Sequence, residues 1–225
     1  MRIDVITLFP EMLRGFLEQS MMKRASEAGA VEFRIINPRD FTSDVHRTTD
    51  DRAYGGGPGM VMKAAPLFEA IESVKEPESK VIYLSPQGNP FVQSKAEDLG
   101  NCSHLIFLCG HYEGIDERVL VSLVDEEISI GDYVLTNGAL AAAVVIDSVV
   151  RLLPGVLGGG EAATEAESFS SGIFDHPHYT RPEEFRGLKV PGVLLSGNHA
   201  AIAEWRREKA VLKTKKIRPD LMDEA

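Results

Sequence analysis

The sequence predicts an α/β fold with a largely parallel sheet. Short runs rich in apolar and β-branched residues, such as RIDVIT at Arg2 to Thr7 and HLIFLC at His104 to Cys109, alternate with helical patterns through the first two thirds of the chain. Strands that are separated by helices in this way usually lie parallel in one sheet. The chain has 225 residues, of which 44% are hydrophobic, and this is enough to bury one substantial core.

The hydrophobic period defines the elements one after another. A helical stretch follows Pro10 and continues to about Glu27. Pro66 suits the first turn of a helix, because proline has a restricted φ and no N–H to leave unpaired, and this helix stops before Pro77. The other predicted strands are 31–36, 80–84 and 125–128, and the other predicted helices are 91–99, 115–123, 139–153 and 198–216.

The composition changes after the last helix of this series. Between Leu153 and Ile173 glycine and other small residues dominate and neither period persists, which is typical of a mobile connector. The segment that follows it, 176–190, has the prolines of a loop. We therefore expect a first domain over 1–160, a flexible linker over 161–172 and a small helical domain over 173–225.

Neither a membrane span nor an export signal is expected. The longest apolar stretch, Ala139 to Leu153, contains two charged residues and is shorter than the roughly 20 residues of a membrane span, which indicates a buried helix. No leader of the secretory type precedes Asp4, and this predicts a cytoplasmic protein. Cys102 and Cys109 show no metal-ligand spacing, so we expect packing roles for both.

The charge is divided unevenly along the chain. The net charge of -10 argues against indiscriminate nucleic-acid binding, which needs lysine and arginine facing the phosphates. Residues 1–172 carry -12, however, and residues 173–225 carry +2. Within Trp205 to Arg218 there are seven basic residues and a single acidic one, Glu208. A helix with this pattern is either a solvated surface or a contact for nucleic acid.

Three glycine-containing loops each follow a predicted strand. They are LSPQGNP at 84–90, CGHYEGID at 109–116 and SIGDYVLTNG at 129–138. Loops at the carboxyl ends of parallel strands gather at one edge of the sheet, where ligands of open α/β sheets bind. Glycine also lets the backbone approach a ligand closely. We therefore predict a ligand pocket at this edge, against the simpler interpretation that the glycines only end the strands.

The residues of these loops restrict the kind of ligand. No G-x-G-x-x-G opens a helix after the first strand and no P-loop motif occurs, so nicotinamide-dependent redox chemistry and nucleotide hydrolysis lose support. Cations are scarce in the loops, whereas Glu113, Asp116, Asp132 and Tyr133 are present. Such a pocket suits a neutral or cationic ligand with an aromatic or ribose part, including a sulfonium cofactor.

A further glycine cluster lies in TTDDRAYGGGPGM at 48–60. Its glycines disfavour both helix and sheet, because glycine loses more conformational entropy on ordering than other residues. Acidic, basic and imidazole groups lie in or beside it, among them His46, Asp50 and Arg52. The loop is either a flexible surface excursion or a segment that a partner orders.

Eight short segments carry a resemblance to a known family. They are LFPEM (8–12), NPRDF (37–41), DDRAYGGGPGM (50–60), YLSPQG (83–88), CGHYEGIDER (109–118), SIGDYVLTNG (129–138), PGVLG (154–158) and PHYTRP (177–182). In order and spacing they closely resemble the bacterial tRNA (guanine-37-N1)-methyltransferases of the SPOUT superfamily. The resemblance implies a parallel sheet that ends in a deep trefoil knot, a topology that the periodicity itself does not indicate. It also implies a homodimer with a shared active site.

By the same resemblance, S-adenosyl-L-methionine would bind among the three loops and its methyl group would pass to N1 of guanine 37 of tRNA. Backbone amides and carbonyls of these loops would contact the adenine. The cofactor-binding positions that match the family are Tyr83, Leu84, Ser85, Pro86, Gly88, Gly110, Tyr112, Glu113, Gly114, Ile130, Gly131, Asp132, Tyr133, Val134, Leu135 and Gly138.

The resemblance also assigns the catalytic groups. Guanine N1 carries a proton and is a poor nucleophile until a base removes it, and a cation can stabilise the negative charge that then spreads to O6. Arg151 matches the family's arginine, although taken alone it is also a favourable helix-terminal charge. The family has aspartate where this chain has Glu167, whose extra methylene moves the carboxylate by roughly 1.5 Å. We expect Glu167 to be the base, with Asp175 as an alternate or supporting acid.

Substrate RNA would contact the basic helix, the glycine-rich loop and the turn before the helix. The expected tRNA-binding residues are His46, Asp50, Arg52, Gly59, Ser196, His199, Arg206, Arg207, Lys213 and Lys215. No histidine or cysteine set has the spacing of metal ligands, so we expect no metal site and expect His176 and His178 to pack or form hydrogen bonds. Magnesium as a helper ion is left open, because no residue pattern assigns it.

Two alternatives keep the pocket and change the activity. A SPOUT enzyme could methylate a ribose 2′-hydroxyl or another base. A non-catalytic RNA-binding module could retain the pocket alone, an interpretation for which Glu167 in place of aspartate leaves room.

Overall fold

A computed structural model describes residues 1–158, 167–169 and 172–222. The chain forms two compact units, Met1–Gly158 and Gly159–Ala225. Most of the predicted linker, 161–172, lies outside the described residues. Among the described helices, none is long and apolar enough to cross a membrane.

A five-stranded parallel sheet is the centre of the first unit. Its strands are β1 (Arg2–Ile6), β2 (Glu32–Ile36), β5 (Ser79–Pro90), β6 (His104–Cys109) and β7 (Glu126–Ser129). Their order is β2-β1-β6-β5-β7, and every pair in this sheet is parallel. The prediction of an α/β fold with a largely parallel sheet is therefore confirmed. Two short strands, β3 (Asp50–Asp51) and β4 (Val61–Met62), form a separate antiparallel pair around the glycine-rich loop.

The helices of the first unit follow the predicted order with changed bounds. They are α1 (Pro10–Leu17), α2 (Ser20–Glu27), α3 (Ala64–Glu72), α4 (Gln93–Gly100), α5 (Glu117–Leu123) and α6 (Ala139–Val150), with a short 3-10 helix at Pro38–Phe41. The single helix predicted over 10–27 is wrong, because the chain breaks at Ser20, whose φ of 48° is incompatible with a continuous helix. The helix predicted over 139–153 ends at Val150, and the remaining residues form turns.

Both faces of the sheet are covered by helices. Successive residues of β6 point to opposite faces, so that Leu105 and Phe107 pack with α1, α2, α4 and α6, whereas Ile106 and Leu108 pack with α3 and α5. All of β6 is buried, which explains its uninterrupted apolar run from Leu105 to Cys109. The burial of α6 confirms the interpretation of its apolar stretch as a core helix.

The second unit combines helices with a small hairpin. Its elements are β8 (Glu184–Phe185), β9 (Leu188–Lys189), α7 (Gly192–Leu195), α8 (His199–Ile217) and a 3-10 helix at Pro219–Met222. The loop predicted over 176–190 is thus partly wrong, because Arg186 and Gly187 both have positive φ and form the two-residue turn of a hairpin. The Asn198 side chain caps α8 by accepting a hydrogen bond from the Ala201 N–H at 3.2 Å.

Candidate functional site

A cavity of about 220 Å³ lies in the first unit at the carboxyl ends of β5, β6 and β7. The three loops that follow these strands form its walls, as expected for an open parallel sheet. Its lining residues are Tyr83, Leu84, Ser85, Pro86, Gly110, His111, Tyr112, Glu113, Gly114, Ile128, Ser129, Ile130, Gly131, Tyr133, Val134, Leu135, Thr136, Asn137, Gly138 and Ala141.

The structure brings the predicted cofactor-binding residues together, with two exceptions. Gly88 and Asp132 do not line the cavity. Sequence reasoning missed six lining residues, which are His111, Ile128, Ser129, Thr136, Asn137 and Ala141. Four of the six, His111, Ser129, Thr136 and Asn137, lie within the predicted loops 109–116 and 129–138. Extending the third loop at both ends would have added Ile128 and Ala141.

Close backbone contacts shape the walls of the cavity. A Cβ atom on Gly110 would lie 2.7 Å from Tyr83 Oη, and one on Gly138 would lie 2.9 Å from Cys109 Cα. Gly88 has a related role outside the cavity, since a Cβ there would lie 2.5 Å from the backbone of Glu127. Only glycine permits these approaches, and they let the three loops converge.

Hydrogen bonds between the second and third loops hold the cavity in shape. The Gly138 N–H donates to the Gly110 carbonyl at 2.9 Å. The Thr136 carbonyl accepts from His111 Nδ1 at 2.9 Å, which places the proton of a neutral His111 on that nitrogen. Asn137 caps the start of α6 by accepting from the Ala139 N–H at 2.9 Å. These bonds connect the second loop to the third loop and to the start of α6.

The cavity is poor in positive charge. Among its lining residues there is no lysine or arginine, and Glu113 is the one carboxylate. Burial raises the pKa of Tyr83 to about 12, so its phenol stays neutral at physiological pH. Cys109, beneath the second loop, has its pKa raised to about 12 by burial and is a packed thiol, as predicted. These features fit a neutral or cationic ligand better than a polyphosphate.

The glycine-rich loop joins the cavity at its second loop. The Met60 carbonyl accepts a hydrogen bond from the Glu113 N–H at 3.0 Å, and the Gly114 carbonyl accepts from the Met62 N–H at 3.0 Å. A Cβ on Gly59 would lie 2.4 Å from Glu113 Oε1. Further out, the side chain of Tyr54 is fully exposed. The loop that was expected to contact RNA is therefore bonded directly to the predicted donor pocket.

The three predicted catalytic residues fall in different units. Arg151 lies in the first unit at the C-terminal end of α6, where its N–H donates to the Asp147 carbonyl at 3.2 Å. Glu167 and Asp175 lie in the second unit. The Asp175 N–H donates to Ser168 Oγ at 3.0 Å, so the residue after Glu167 is tied to the second candidate acid.

Asp175 is held by hydrogen bonds in its ionised form. Its carboxylate accepts from His178 Nε2 at 2.7 Å and from the His176 N–H at 2.6 Å. Burial alone would raise the pKa of Asp175, but these bonds outweigh burial and lower the pKa below its ordinary value. The hydrogen bonding that the sequence analysis expected for His178 is present.

The predicted tRNA-binding residues fall into two groups. Those in the first unit lie in or beside the glycine-rich loop, with His46 and Arg52 exposed and Asp50 in β3. Those in the second unit lie in the turn before α8 and along it. The exposed members of the second group are Ser196, His199, Arg206, Arg207, Lys213 and Lys215.

Comparison with known proteins gives a consistent result along the whole chain. The model of the family tRNA (Guanine-1)-methyltransferase TrmD matches residues 1–224. The chain is 57% identical over 226 residues to the tRNA (guanine-N(1)-)-methyltransferase of Anoxybacillus flavithermus, covering 99% of this chain and 92% of the relative. It is 54% identical over 226 residues to the enzyme of the same name from Geobacillus kaustophilus, and the match covers 100% of this chain and 92% of the relative. With a Bacillus cereus relative of the same name the identity is 55% over 227 residues, and the match covers 100% of this chain and 93% of the relative.

Proposed function

The chain belongs to the tRNA (guanine-1)-methyltransferase family, and from this premise we propose that it transfers a methyl group from S-adenosyl-L-methionine to N1 of guanine 37 in the anticodon loop of tRNA. As a member of this family it is a methyltransferase. The donor, the position of the guanine and the catalytic residues are the parts that we propose.

The cavity at the end of the sheet supports the assignment of the donor. S-adenosyl-L-methionine, when bound, supplies a methyl group that its sulfonium charge makes electrophilic. The cavity contains Glu113 and no lysine or arginine among its lining residues, which favours a positively charged ligand. The glycine backbones at Gly110 and Gly138 leave room for main-chain contacts with an adenine edge. The residues present therefore fit the donor.

Catalysis needs a base for the N1 proton and a cation near O6. We assign the base to Glu167, with Asp175 as the supporting or alternate acid. The hydrogen bond between the Asp175 N–H and Ser168 Oγ supports joint positioning of these two acids. We assign the cation to Arg151, which would stabilise negative charge on O6 as the proton leaves.

A homodimer with a shared site is supported by two features of the first unit. Leu140 and Val144 are 52% and 46% exposed one turn apart on α6, and Phe9, which precedes α1, and Met12 within it are also exposed. Arg151 lies ten residues beyond the cavity residue Ala141, which corresponds to about 15 Å along the helix axis. That separation favours completion of each site by a second copy of the chain. The trefoil knot and the SPOUT class are proposed from the family, and the convergence of the three loops agrees with them.

RNA recognition would use both the glycine-rich loop at 48–60 and the basic helix α8. The exposed lysines and arginines of α8 would contact phosphates, and Tyr54 offers a ring on which a base could stack. Moving guanine 37 out of its stack costs a few kcal/mol, which such contacts would offset. We propose that the enzyme acts on tRNA in the cytoplasm. In this proposal the domain over 173–225 binds the tRNA, the domain over 1–160 binds the donor, and the segment 161–172 links them.

The observation that carries the proposal is a cation-poor cavity at the carboxyl edge of the sheet in a chain that matches the family throughout. The test is a single-turnover methyl-transfer assay on a tRNA transcript with guanine at position 37, with a transcript that lacks this guanine as control. We expect transfer to the first transcript only. Methylation of a ribose or of another base would overturn the site assignment, and donor binding without any transfer would indicate an RNA-binding module instead.

The acid assignments are tested separately. Glu167→Gln should lower the single-turnover rate by about 100-fold or more, because an amide cannot accept the N1 proton. Asp175→Asn tests the supporting role, and Glu184→Gln, an exposed glutamate of the same unit, is the control that should retain the rate. Full activity of Glu167→Gln would remove it as the base.

A further inference from the structure

Three side chains that can ligate a metal meet in the second unit. The ligating atoms of Asp175, His176 and His178 all lie within 4.8 Å of one another. Asp175 Oδ2 is 2.7 Å from His178 Nε2, and Asp175 Oδ1 is 3.8 Å from His176 Nε2. The proposed methyl transfer gives neither histidine a role, so their convergence on one carboxylate calls for a separate explanation.

The orientation of His176 directs Nε2 towards the Asp175 carboxylate. Its Nδ1 lies 3.2 Å from the Pro177 carbonyl, which can only accept, so Nδ1 carries the proton. In a neutral ring, Nε2 then presents a lone pair, and this lone pair lies beside the Asp175 carboxylate. Two acceptors in this position repel each other, and either a proton on Nε2 or a metal ion between them removes the repulsion. Metal-ligating histidines are commonly held in this way, with the second ring nitrogen bonded to a backbone carbonyl.

We propose that Asp175, His176 and His178 bind a divalent transition-metal ion of the zinc type. Zinc lies about 2.0 to 2.2 Å from nitrogen and oxygen ligands, so two ligands of one tetrahedral ion are about 3.4 Å apart. The observed separations of 2.7 and 3.8 Å lie on either side of this value. Small side-chain rotations would therefore complete the site once the His178 proton has moved from Nε2 to Nδ1, and a water molecule would take the fourth position.

The donor set selects the class of ion. Two imidazole nitrogens and one carboxylate suit zinc, cobalt, nickel or iron, whereas magnesium and calcium prefer oxygen ligands throughout. The side chain of His178 is 70% exposed, so an ion can enter from solvent. Arg181 and Arg206 line an adjoining cavity together with both histidines, and their charge limits the affinity for a cation, which the Asp175 carboxylate offsets.

The experiment measures binding directly, in the whole chain and without donor or RNA. Protein stripped with a chelator is titrated with Co²⁺ and followed by visible absorption, and Zn²⁺ binding is measured by calorimetry. We expect one ion per chain and the absorption bands of nitrogen-bound cobalt. His176→Ala, His178→Ala and Asp175→Asn should each weaken binding by about tenfold or more.

Two exposed histidines elsewhere provide the matched controls. His46→Ala and His199→Ala remove the same side chain outside the cluster, and both should retain one ion per chain and its affinity. The proposal is overturned if cobalt gives no such bands, if the control variants reduce binding as much as the cluster variants, or if Mg²⁺ competes at equal concentration. Because no methyl transfer is measured, a negative result leaves the proposed function untouched. A positive result leaves Glu167 as the assigned base, but it would assign the Asp175 carboxylate to the metal ion and not to proton transfer.

Discussion

The hydroxyl of Thr214, fully buried on α8, accepts a hydrogen bond from the Phe174 N–H at 2.8 Å. The same hydroxyl donates to the Ala210 carbonyl at 2.9 Å, so both its lone pair and its proton are used. Phe174 directly precedes Asp175, and its ring packs edge-on against Phe169 with the ring centroids 5.6 Å apart. The basic helix and the segment with both candidate acids are thus one connected structure.

Loss of this hydroxyl should disturb catalysis without affecting the donor pocket. In Thr214→Val the half-buried Phe174 N–H loses its acceptor, which costs about 1 kcal/mol, and the acid next to it shifts. We expect single-turnover methyl transfer to slow by about tenfold, because small displacements of catalytic groups are costly. Affinity for S-adenosyl-L-methionine, measured by calorimetry, should not change. Thr214→Ser keeps the hydroxyl and should restore most of the rate, and an equally slow serine variant would contradict the role of the hydrogen bond.

A methyl group added at Gly110 should block the donor. Its Cβ would lie 2.7 Å from Tyr83 Oη, so either the Tyr83 side chain or the loop at Gly110 must move, and the wall of the cavity changes shape. We expect Gly110→Ala to weaken binding of S-adenosyl-L-methionine by about tenfold or more in calorimetry, since this loss corresponds to about 1.4 kcal/mol. Gly100→Ala is the control, because a Cβ at Gly100 meets nothing within 4 Å. Equal affinity in both variants would place the donor elsewhere.

The two thiols should differ in reactivity. Burial raises the pKa of the Cys109 thiol to about 12 and leaves it 2% exposed, whereas Cys102 is half-buried at the end of α4. Because the thiolate is the reactive form, a disulfide reagent at mildly alkaline pH should modify one cysteine of the native protein and both after unfolding. Cys102→Ser should abolish the reaction in the native state. Rapid modification of Cys109 in that variant would contradict the burial.

The ion pairs of Glu126 predict part of the loss of folding stability at acidic pH. Glu126 accepts from Lys80 Nζ and Lys95 Nζ, each at 2.7 Å. Burial would raise the pKa of Glu126, but the two lysines outweigh it and lower the pKa below the ordinary 4.5. The unfolded chain therefore binds this proton more readily, so the stabilisation is present above about pH 4.5 and is lost as pH falls through the lower pKa of the folded state.

Glu126→Gln should make the folding stability less dependent on pH below about pH 4.5. Chemical unfolding measured at a series of pH values should show a smaller loss of stability below pH 4.5 than in the parent chain. Glu72→Gln, at the exposed end of α3, serves as the control and should follow the parent chain. If Glu126→Gln also keeps the parent's slope, the lysine contacts do not stabilise the fold.

The sequence predicted the parallel sheet and the edge of that sheet at which the cavity lies, and the reason is physical. The period of two and the uninterrupted apolar runs identify buried strands, and a parallel sheet then brings the loops at 84–90, 109–116 and 129–138 to one edge. These relations depend on local pattern and on topology. They need no knowledge of individual side-chain contacts.

Contacts between distant residues could not be predicted in this way. Asp4 is completely buried, yet it accepts two hydrogen bonds of 2.6 Å from Arg34 and one of 2.8 Å from His104 Nε2. A buried carboxylate is tolerated only with such partners, and no local pattern reveals them. The hairpin around Arg186 was missed for a related reason, since strands of two residues have no measurable period. The convergence of Asp175 with His176 and His178 likewise depends on loop geometry.

The bond from the Gly138 N–H to the Gly110 carbonyl also bears on how the molecule is assembled. It joins the two ends of a segment that contains α5 and β7, so the pocket is complete only after these elements have docked. Partly folded chains would lack the pocket and could not bind the proposed donor. A ligand that binds only finished molecules draws the folding equilibrium toward them, and abundant donor in the cell would thereby favour the mature enzyme over its intermediates.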